Sequence, residues 1–233
     1  MTPRAVSICF ALAFMPLVAT AAEPVKRVAV QVLPYYEAAM SDGVSPMVAV
    51  SAAHDSLLAS VKQGDVLIAL ESISSNNELI TPMTLMVLAI RLYDVGLRDQ
   101  AVFWFYVAKD RYLTLAGVAD VATPQLAQVA DAVKNFAVLA GPVINGYAFC
   151  DVAKQADART KALQWVIDNP YKAIFLPQIP ALPGDRNKRL AKTINSLKSD
   201  VARERDFLSQ PENLESLKKG RVKSGAEAQY CWR

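Results

Sequence analysis

The sequence is poor in the residues that build metal sites and nucleophilic sites. Its 233 residues include one histidine, His54, and three cysteines, with no close spacing among them. It contains no Gly-x-Ser-x-Gly, Walker, His-Glu-x-x-His or Gly-x-Gly-x-x-Gly motif. His54 is followed by Asp55 and Ser56, but adjacent helical residues point in different directions and cannot form a relay. The sequence therefore predicts no metal site, no cofactor and no recognisable catalytic residue.

Glycosylation sequons and long apolar runs are missing as well. No Asn-x-Ser/Thr sequon occurs, whereas a secreted eukaryotic protein of this length would often carry one, so a bacterial periplasm is favoured. After the N-terminal region the longest apolar run covers residues 83–92 and includes Arg91. A membrane-spanning helix needs about 20 apolar residues. We expect no transmembrane segment in the mature chain.

The N-terminal region has the pattern of a cleavable signal peptide. Arg4 precedes an apolar run over residues 5–18, and an Ala-x-Ala sequence follows at residues 19–21. Cys9 lies inside the apolar run rather than just after it, which disfavours a lipoprotein. We expect residues 1–21 to be removed and the mature protein to be periplasmic or secreted.

Composition and charge favour one globular domain over residues 22–233. The chain is 53% hydrophobic, enough to bury a core. Residues 22–183 carry a net charge of −3, and residues 184–233 carry +5. The basic residues of the second part are mixed with acidic ones on an amphipathic helix, which indicates a solvated face rather than a nucleic-acid site. Within the domain we predict an irregular segment at 22–47, helices at 48–208 and a tail at 209–233.

Two cysteines remain after signal-peptide removal, Cys150 and Cys231. In an exported chain they predict one disulfide, which would tether the tail to the middle of the domain. The alternative is a pair of buried free thiols. Residues 145–151 combine a flexible turn with Tyr147, Phe149, Cys150 and Asp151, and this mixture suits either a tethered core turn or a small-solute site.

The clearest helical pattern lies at residues 81–115. Thr81 is a good N-cap with Pro82 at the first helical position, and Gly96 is a C-cap residue. The apolar faces follow helical spacing in both halves: Leu85, Leu88, Ala89 and Leu92, then Ala101, Phe105, Ala108 and Tyr112. Two helices joined by so few residues pack antiparallel.

A short strand is expected near residues 28–32.

This hairpin resembles a single tetratricopeptide or Sel1-type repeat. Leu88-Ala89 stands where that family has Leu-Gly, Gly96 fits its interhelical turn, and Ala101-x-x-x-Phe105 matches its Ala-x-x-x-Phe. Leu113 stands where proline normally closes the repeat. The resemblance implies a helical array that binds proteins or peptides, and an ordinary helical hairpin is the alternative.

The remaining chain is predicted to be helical with one extended interruption. Helices are expected at 124–140, 143–168 and 186–208, and the last is the long C-terminal helix. Prolines at 177, 180 and 183 predict an extended stretch laid across the domain. The fold class is therefore all-α: a compact array of antiparallel helical hairpins, either repeat-like or ordinary, with an irregular N-terminal segment.

The aromatic run within the second hairpin helix supplies the candidate partner-binding residues. Phe105 belongs to the core face, so Phe103, Trp104 and Tyr106 cannot all share it, and each either contacts another element or is exposed to a partner. Three arginines near the hairpin would suit an acidic partner surface: Arg91, Arg98 and Arg111.

The absence of catalytic motifs and the helical hairpins favour a non-enzymatic interaction module in the cell envelope, either a scaffold or an inhibitor or immunity-type binder. Two alternatives stay open. One is a carboxylate-dependent hydrolase acting on envelope polymers, with its acids among Asp55, Asp65, Glu71, Asp94 and Asp151. The other is a small-solute-binding protein using residues 145–151.

Overall fold

A computed structural model of the chain describes residues 22–28, 30–34, 47–124 and 126–232, so the signal-peptide prediction for residues 1–21 lies outside the described residues. The described part contains ten α-helices, two short 3₁₀ helices and one two-stranded sheet, which confirms the all-α prediction. The strands are β1 (Gln31–Pro34) and β2 (Met47–Val50). The helices are α1 (Asp55–Ala59), α2 (Gln63–Ser75), α3 (Pro82–Asp94), α4 (Arg98–Val118), α5 (Ala127–Leu139), α6 (Gly141–Ala148), α7 (Val152–Asp168), α8 (Arg186–Ser209), α9 (Pro211–Lys223) and α10 (Ala226–Tyr230), with 3₁₀ turns at Asn77–Leu79 and Lys172–Phe175.

The N-terminal segment contributes a small parallel sheet rather than only irregular chain. Val32 of β1 lies opposite Val48 of β2, and both are buried. The predicted strand at 28–32 is therefore shifted to β1, and residues 48–50, predicted as helical, belong to β2. The reason is that Val48 and Val50 alternate on the buried face, which suits a strand packed on α3.

Helix α3 lies at the centre of the core. Every residue from 82 to 93 is buried, so the helix is covered on all sides, as its apolar sequence requires. Thr81 caps it, with its Oγ1 accepting a hydrogen bond from the Thr84 backbone N–H at 3.1 Å. Helix α4 packs along α3 and also contacts α6, α7 and α8.

The turn between α3 and α4 is built as predicted. Gly96 has a φ of 88°, a left-handed conformation that favours glycine. The backbone N–H of Leu97 donates to the Leu92 carbonyl at 2.8 Å, and that of Gly96 donates to the Tyr93 carbonyl at 3.0 Å. These two bonds satisfy carbonyls at the end of α3. The hairpin is therefore confirmed, while its resemblance to a tetratricopeptide repeat stays a prediction.

The helix predicted over residues 143–168 is wrong, because the chain breaks between α6 and α7. Asp151 adopts an extended backbone conformation, and its Oδ1 accepts a hydrogen bond from the Lys154 backbone N–H at 3.1 Å. The carboxylate thereby caps a new helix instead of continuing the old one. The break turns α7 away from α6 and places Cys150 at the corner.

The C-terminal region also differs from the prediction. The long helix α8 is confirmed, and Asp185 caps it through a 2.8 Å bond from the Lys188 backbone N–H. The predicted tail at 209–233, however, forms helices α9 and α10. Pro211 begins α9 because its missing N–H is harmless in a first turn. Within the described residues, none of the helices is both long and apolar enough to cross a membrane.

Candidate functional site

A groove runs between α4 and α7, and we call it the α4–α7 groove. Its volume is about 490 Å³. Apolar side chains form the floor, and charged and polar side chains form the rim. The floor residues are Val102, Phe103, Tyr147, Ala148 and Ala158, and the rim residues are Asp99, Gln100, Asp151, Lys154, Asp157 and Lys161.

Sequence spacing on α7 explains why the groove has this lining. Asp151, Lys154, Ala158 and Lys161 recur at intervals of three and four residues, which places them along one face of the helix. Ala158 is small, so α7 leaves space above Phe103 of α4. Phe103 is half-buried and packs edge-on against Trp104, with ring centroids 5.3 Å apart. One side of its ring is therefore supported while the groove remains open.

The rim charges are largely matched with one another. Lys154 Nζ lies 3.6 Å from Asp99 Oδ2, so this pair joins the two walls of the groove. The hydroxyl of Tyr147 donates to Asp99 Oδ1 at 2.7 Å. Burial and this bond to Asp99 raise the pKa of Tyr147 to about 12, so its hydroxyl remains a donor at neutral pH. Lys161 pairs with Asp157 at 2.7 Å along the helix.

A buried polar network lies behind the floor and joins α4, α7 and α8. Gln155 Nε2 donates to the Tyr106 hydroxyl at 3.0 Å and to Glu204 Oε1 at 2.8 Å. Arg159 pairs with Asp110, and its Nε lies 3.6 Å from Glu204 Oε2. Burial raises the pKa of Asp110, and the Arg159 guanidinium opposes that shift. Asp110 is 1% exposed, so this network holds three helices together rather than meeting a substrate.

The disulfide Cys150–Cys231 borders the groove at the corner between α6 and α7. Arg221 Nη2 lies 3.0 Å from Cys231 Sγ and 3.4 Å from Cys150 Sγ. Its Nε donates to Glu227 Oε1 at 2.7 Å. Gly146 of α6 allows Tyr230 of α10 to pack closely against it, since a Cβ at position 146 would lie 2.6 Å from the Tyr230 ring. The C-terminal segment is thus fixed against the end of α6.

Four of the six residues predicted to bind a partner are buried, and for them the prediction is wrong. Trp104 and Tyr106 are 5% and 3% exposed because α4 is covered by α6, α7 and α8 as well as α3. Trp104 packs edge-on against Trp165 of α7, with ring centroids 5.2 Å apart. Tyr106 donates its hydroxyl to Asn145 Oδ1 at 3.3 Å, and burial raises its pKa to about 12.

The two buried arginines among these six residues, Arg91 and Arg111, serve the fold. Arg91 donates to the carbonyls of Leu58 and Val30 at 2.6 and 3.1 Å and pairs with Asp94 at 2.9 Å, which ties the N-terminal segment to α3. Arg111 is fully buried, and its three carbonyl acceptors belong to Asn77, Ile80 and Asn169. Burial lowers the pKa of Arg111 to about 10, which leaves it charged at neutral pH.

The other two predicted residues are only partly buried. Phe103 lines the α4–α7 groove. Arg98 instead binds within the chain, because its guanidinium stacks on the Trp232 ring at 4.0 Å and donates to the Trp232 carbonyl at 3.1 Å. Residues 145–148, predicted as part of a flexible turn, form the last turn of α6 instead. From the segment 145–151, Tyr147, Ala148, Cys150 and Asp151 line the groove.

Sequence reasoning missed the α7 side of the groove, including Lys154 and Ala158. The only signal for this side in the sequence was the spacing of three and four residues along one face of α7. The same spacing occurs on any helix face that is exposed to solvent, so it did not single out a groove. His54 Nε2 lies 3.4 Å from Ser72 Oγ of α2, and His54 is 7% exposed. Among the described residues, no group of three or more His, Cys, Asp or Glu side chains could hold a metal ion.

A protein of Haemophilus influenzae, described as an uncharacterized protein, is 34% identical to this chain over 210 residues. The aligned region covers 90% of this chain and 81% of that protein. This chain therefore belongs to the same family as the Haemophilus influenzae protein. No protein-family model matches the chain, and no solved structure matches it.

Proposed function

We propose that this chain, as a member of the family it shares with the Haemophilus influenzae protein, is an exported, non-enzymatic protein-interaction module of the cell envelope. Its partner is a protein whose peptide segment lies in the α4–α7 groove with an apolar side chain on Phe103. The observation that carries the proposal is this groove. Its floor is apolar, with Phe103 supported by Trp104, and the two lysines of its rim are already paired with Asp99 and Asp157.

The shape and polarity of the groove favour a polypeptide over a small solute. Solute pockets usually enclose 70–90% of the ligand surface. The α4–α7 groove is only partly enclosed by its two helices, which would leave part of a small molecule in water. A peptide suits it better, because its main-chain amides can bond to rim groups such as Gln100 while one side chain covers the floor.

Two buried carboxylates give no support to a hydrolase. Asp94 and Asp110 are both buried, and each meets an arginine, Arg91 and Arg159. A general acid or base must reach the substrate at hydrogen-bonding distance. The hydrolase and solute-binding alternatives stay predictions from the sequence.

Export to the periplasm is supported by two independent features. Residues 1–21 carry the charged, apolar and Ala-x-Ala regions of a signal peptide. The Cys150–Cys231 disulfide is of a kind that persists in oxidising compartments.

The proposal is tested by blocking the groove. The full chain, produced with its own N-terminal region in the native envelope, would carry Ala158→Trp on the α7 wall or Gln100→Trp on the α4 wall. The matched control is Gln164→Trp, an exposed position on α7 outside the groove. Partners are captured after chemical cross-linking and identified by mass spectrometry.

We expect one protein partner with wild type and with Gln164→Trp, and its loss with both groove variants. Circular dichroism and thermal unfolding would establish that the variants are folded. A partner retained equally by the folded groove variants would contradict the proposal.

A further inference from the structure

A second groove lies at the C-terminal end of the fold, between the start of α7, the end of α8 and α9. We call it the C-terminal groove. Its volume is about 820 Å³. The walls are mainly apolar and include Val152, Ala156, Leu208, Leu214, Leu217 and Val222. Cys150 and Asp151 line both grooves, so the corner before α7 separates them.

The apolar face of α9 is incompletely covered. Leu214 and Leu217 are half-buried, and Val222 is 70% exposed. Leu214 and Leu217 are one helical turn apart, and both line the groove together with Val222 and with Leu208, which is 8% exposed. An apolar helix face that is open to water in this way is typical of a docking surface.

The free charges at this groove are positive. Its two carboxylates are already engaged, since Glu227 accepts from Arg221 at 2.7 Å and Asp151 caps α7. Lys218 forms no ion pair or hydrogen bond within the described part of the chain, and Arg205 Nε reaches only Asp206, at 3.9 Å. The Arg205 side chain is 67% exposed. The groove therefore offers two cations without close partners beside an apolar floor.

We propose that the C-terminal groove docks an acidic amphipathic helix of another protein. Its apolar face would cover the leucines of α8 and α9, and its carboxylates would meet Arg205 and Lys218. The open shape favours a helix over a long-chain fatty acid. A helix can keep a polar face towards water, whereas an acyl chain in an open groove would leave apolar surface wet. This groove is separate from the α4–α7 groove, so the two proposals can fail independently.

The test uses two synthetic helices of about 18 residues, each with leucine at helical spacing. In one peptide the remaining positions are mainly glutamate, and in the other they are mainly lysine. Binding to the mature protein with its disulfide intact is measured by fluorescence anisotropy. The test variant is Arg205→Glu with Lys218→Glu. The matched control is Lys198→Glu with Lys219→Glu, which changes the net charge equally at exposed positions outside the groove.

We expect the glutamate peptide to bind at least about tenfold more tightly than the lysine peptide. The groove variant should weaken that binding about tenfold, while the control changes it less than about twofold. Ala158→Trp should leave the affinity for the glutamate peptide unchanged. This result would show that the peptide does not bind in the α4–α7 groove, so the two proposals are tested separately. Equal binding of both peptides, or an equal loss in the control, would overturn the proposal. Binding of laurate in place of the glutamate peptide would overturn it as well.

Discussion

Arg98 is stacked on the indole ring of Trp232, with its guanidinium carbon 4.0 Å from the ring centroid. The same guanidinium donates to the Trp232 carbonyl at 3.1 Å and also lies 5.0 Å from the Tyr147 ring. The start of α4 thus holds the end of the chain in place beside the α4–α7 groove. Cation–π contacts of this kind contribute about 0.5 to 2 kcal/mol each.

Replacing Arg98 by alanine is expected to loosen the C-terminal segment without unfolding the core. Residues 226–232 lose the stacking and hydrogen bond but keep the disulfide. Hydrogen exchange followed by mass spectrometry should show faster amide exchange there. Arg203→Ala is the control, since Arg203 is exposed on α8 and pairs only with Asp200. Unchanged exchange in the Arg98 variant would contradict the role given to the stacking.

Arg111 is expected to be among the least replaceable residues of the chain. Its guanidinium meets three carbonyls and lies between Trp165 and Tyr171, with centroid distances of 5.0 and 5.5 Å. Arg111→Met would leave those carbonyls without donors and lower the free energy of unfolding by about 3 to 5 kcal/mol. Denaturant unfolding measures this.

The control for Arg111 is Lys161→Ala, a change at an exposed side chain that should cost less than about 0.5 kcal/mol. If the two variants have the same free energy of unfolding, the hydrogen bonds of Arg111 do not contribute to stability as proposed.

The hairpin of α3 and α4 could be predicted because its signals are local. Thr81, Pro82 and Gly96 act through their own backbone geometry, so their effects can be read directly from the sequence. The pairing of Cys150 with Cys231 was also predictable, because residues 22–233 contain no other cysteine. The break at Asp151 was harder to predict, because a capping aspartate and a solvent-exposed helical aspartate look alike in a sequence.

The burial of Trp104, Tyr106 and Arg111 could not be predicted from helical spacing. A hairpin partner covers one face of a helix, whereas α4 is covered by four helices, two of which follow more than 30 residues later. The location of the groove depends on the same distant contacts, since α7 forms one of its walls.

His54 gives the fold a specific acid sensitivity. Burial lowers its pKa below the ordinary 6.5, so the folded state favours the neutral imidazole. Below pH 6.5 the unfolded chain binds more protons than the folded chain, and the free energy of unfolding therefore falls as the pH is lowered. His54 is the only histidine, so a proton NMR titration reports it directly.

We expect the imidazole to titrate with a midpoint below 6.5 in the folded protein. His54→Gln should remove the corresponding loss of stability as the pH falls below about 6.5. A titration midpoint of the His54 imidazole at or above pH 6.5 in the folded protein would contradict the conclusion that burial lowers its pKa.

Reduction of the disulfide should destabilise the whole domain. Cys150 and Cys231 are separated by 81 positions. In the chain-entropy model a loop of this size stabilises the folded state by about 4 to 5 kcal/mol. Denaturant unfolding with and without dithiothreitol measures the difference. The Cys150→Ser, Cys231→Ser double variant should match the reduced protein and be insensitive to dithiothreitol. If the free energy of unfolding of the wild-type protein is the same with and without dithiothreitol, the disulfide does not have this structural role.

The central claim is that the α4–α7 groove holds a partner peptide, and site-specific photo-cross-linking in the native envelope tests it most directly. A photoreactive phenylalanine analogue would replace Gln100 or Ala158 in the groove, and Gln164 outside it. We predict that the two groove positions cross-link to the same protein and that position 164 does not. Cross-linking to that protein from position 164 with equal yield, or no product from either groove position, would contradict the account.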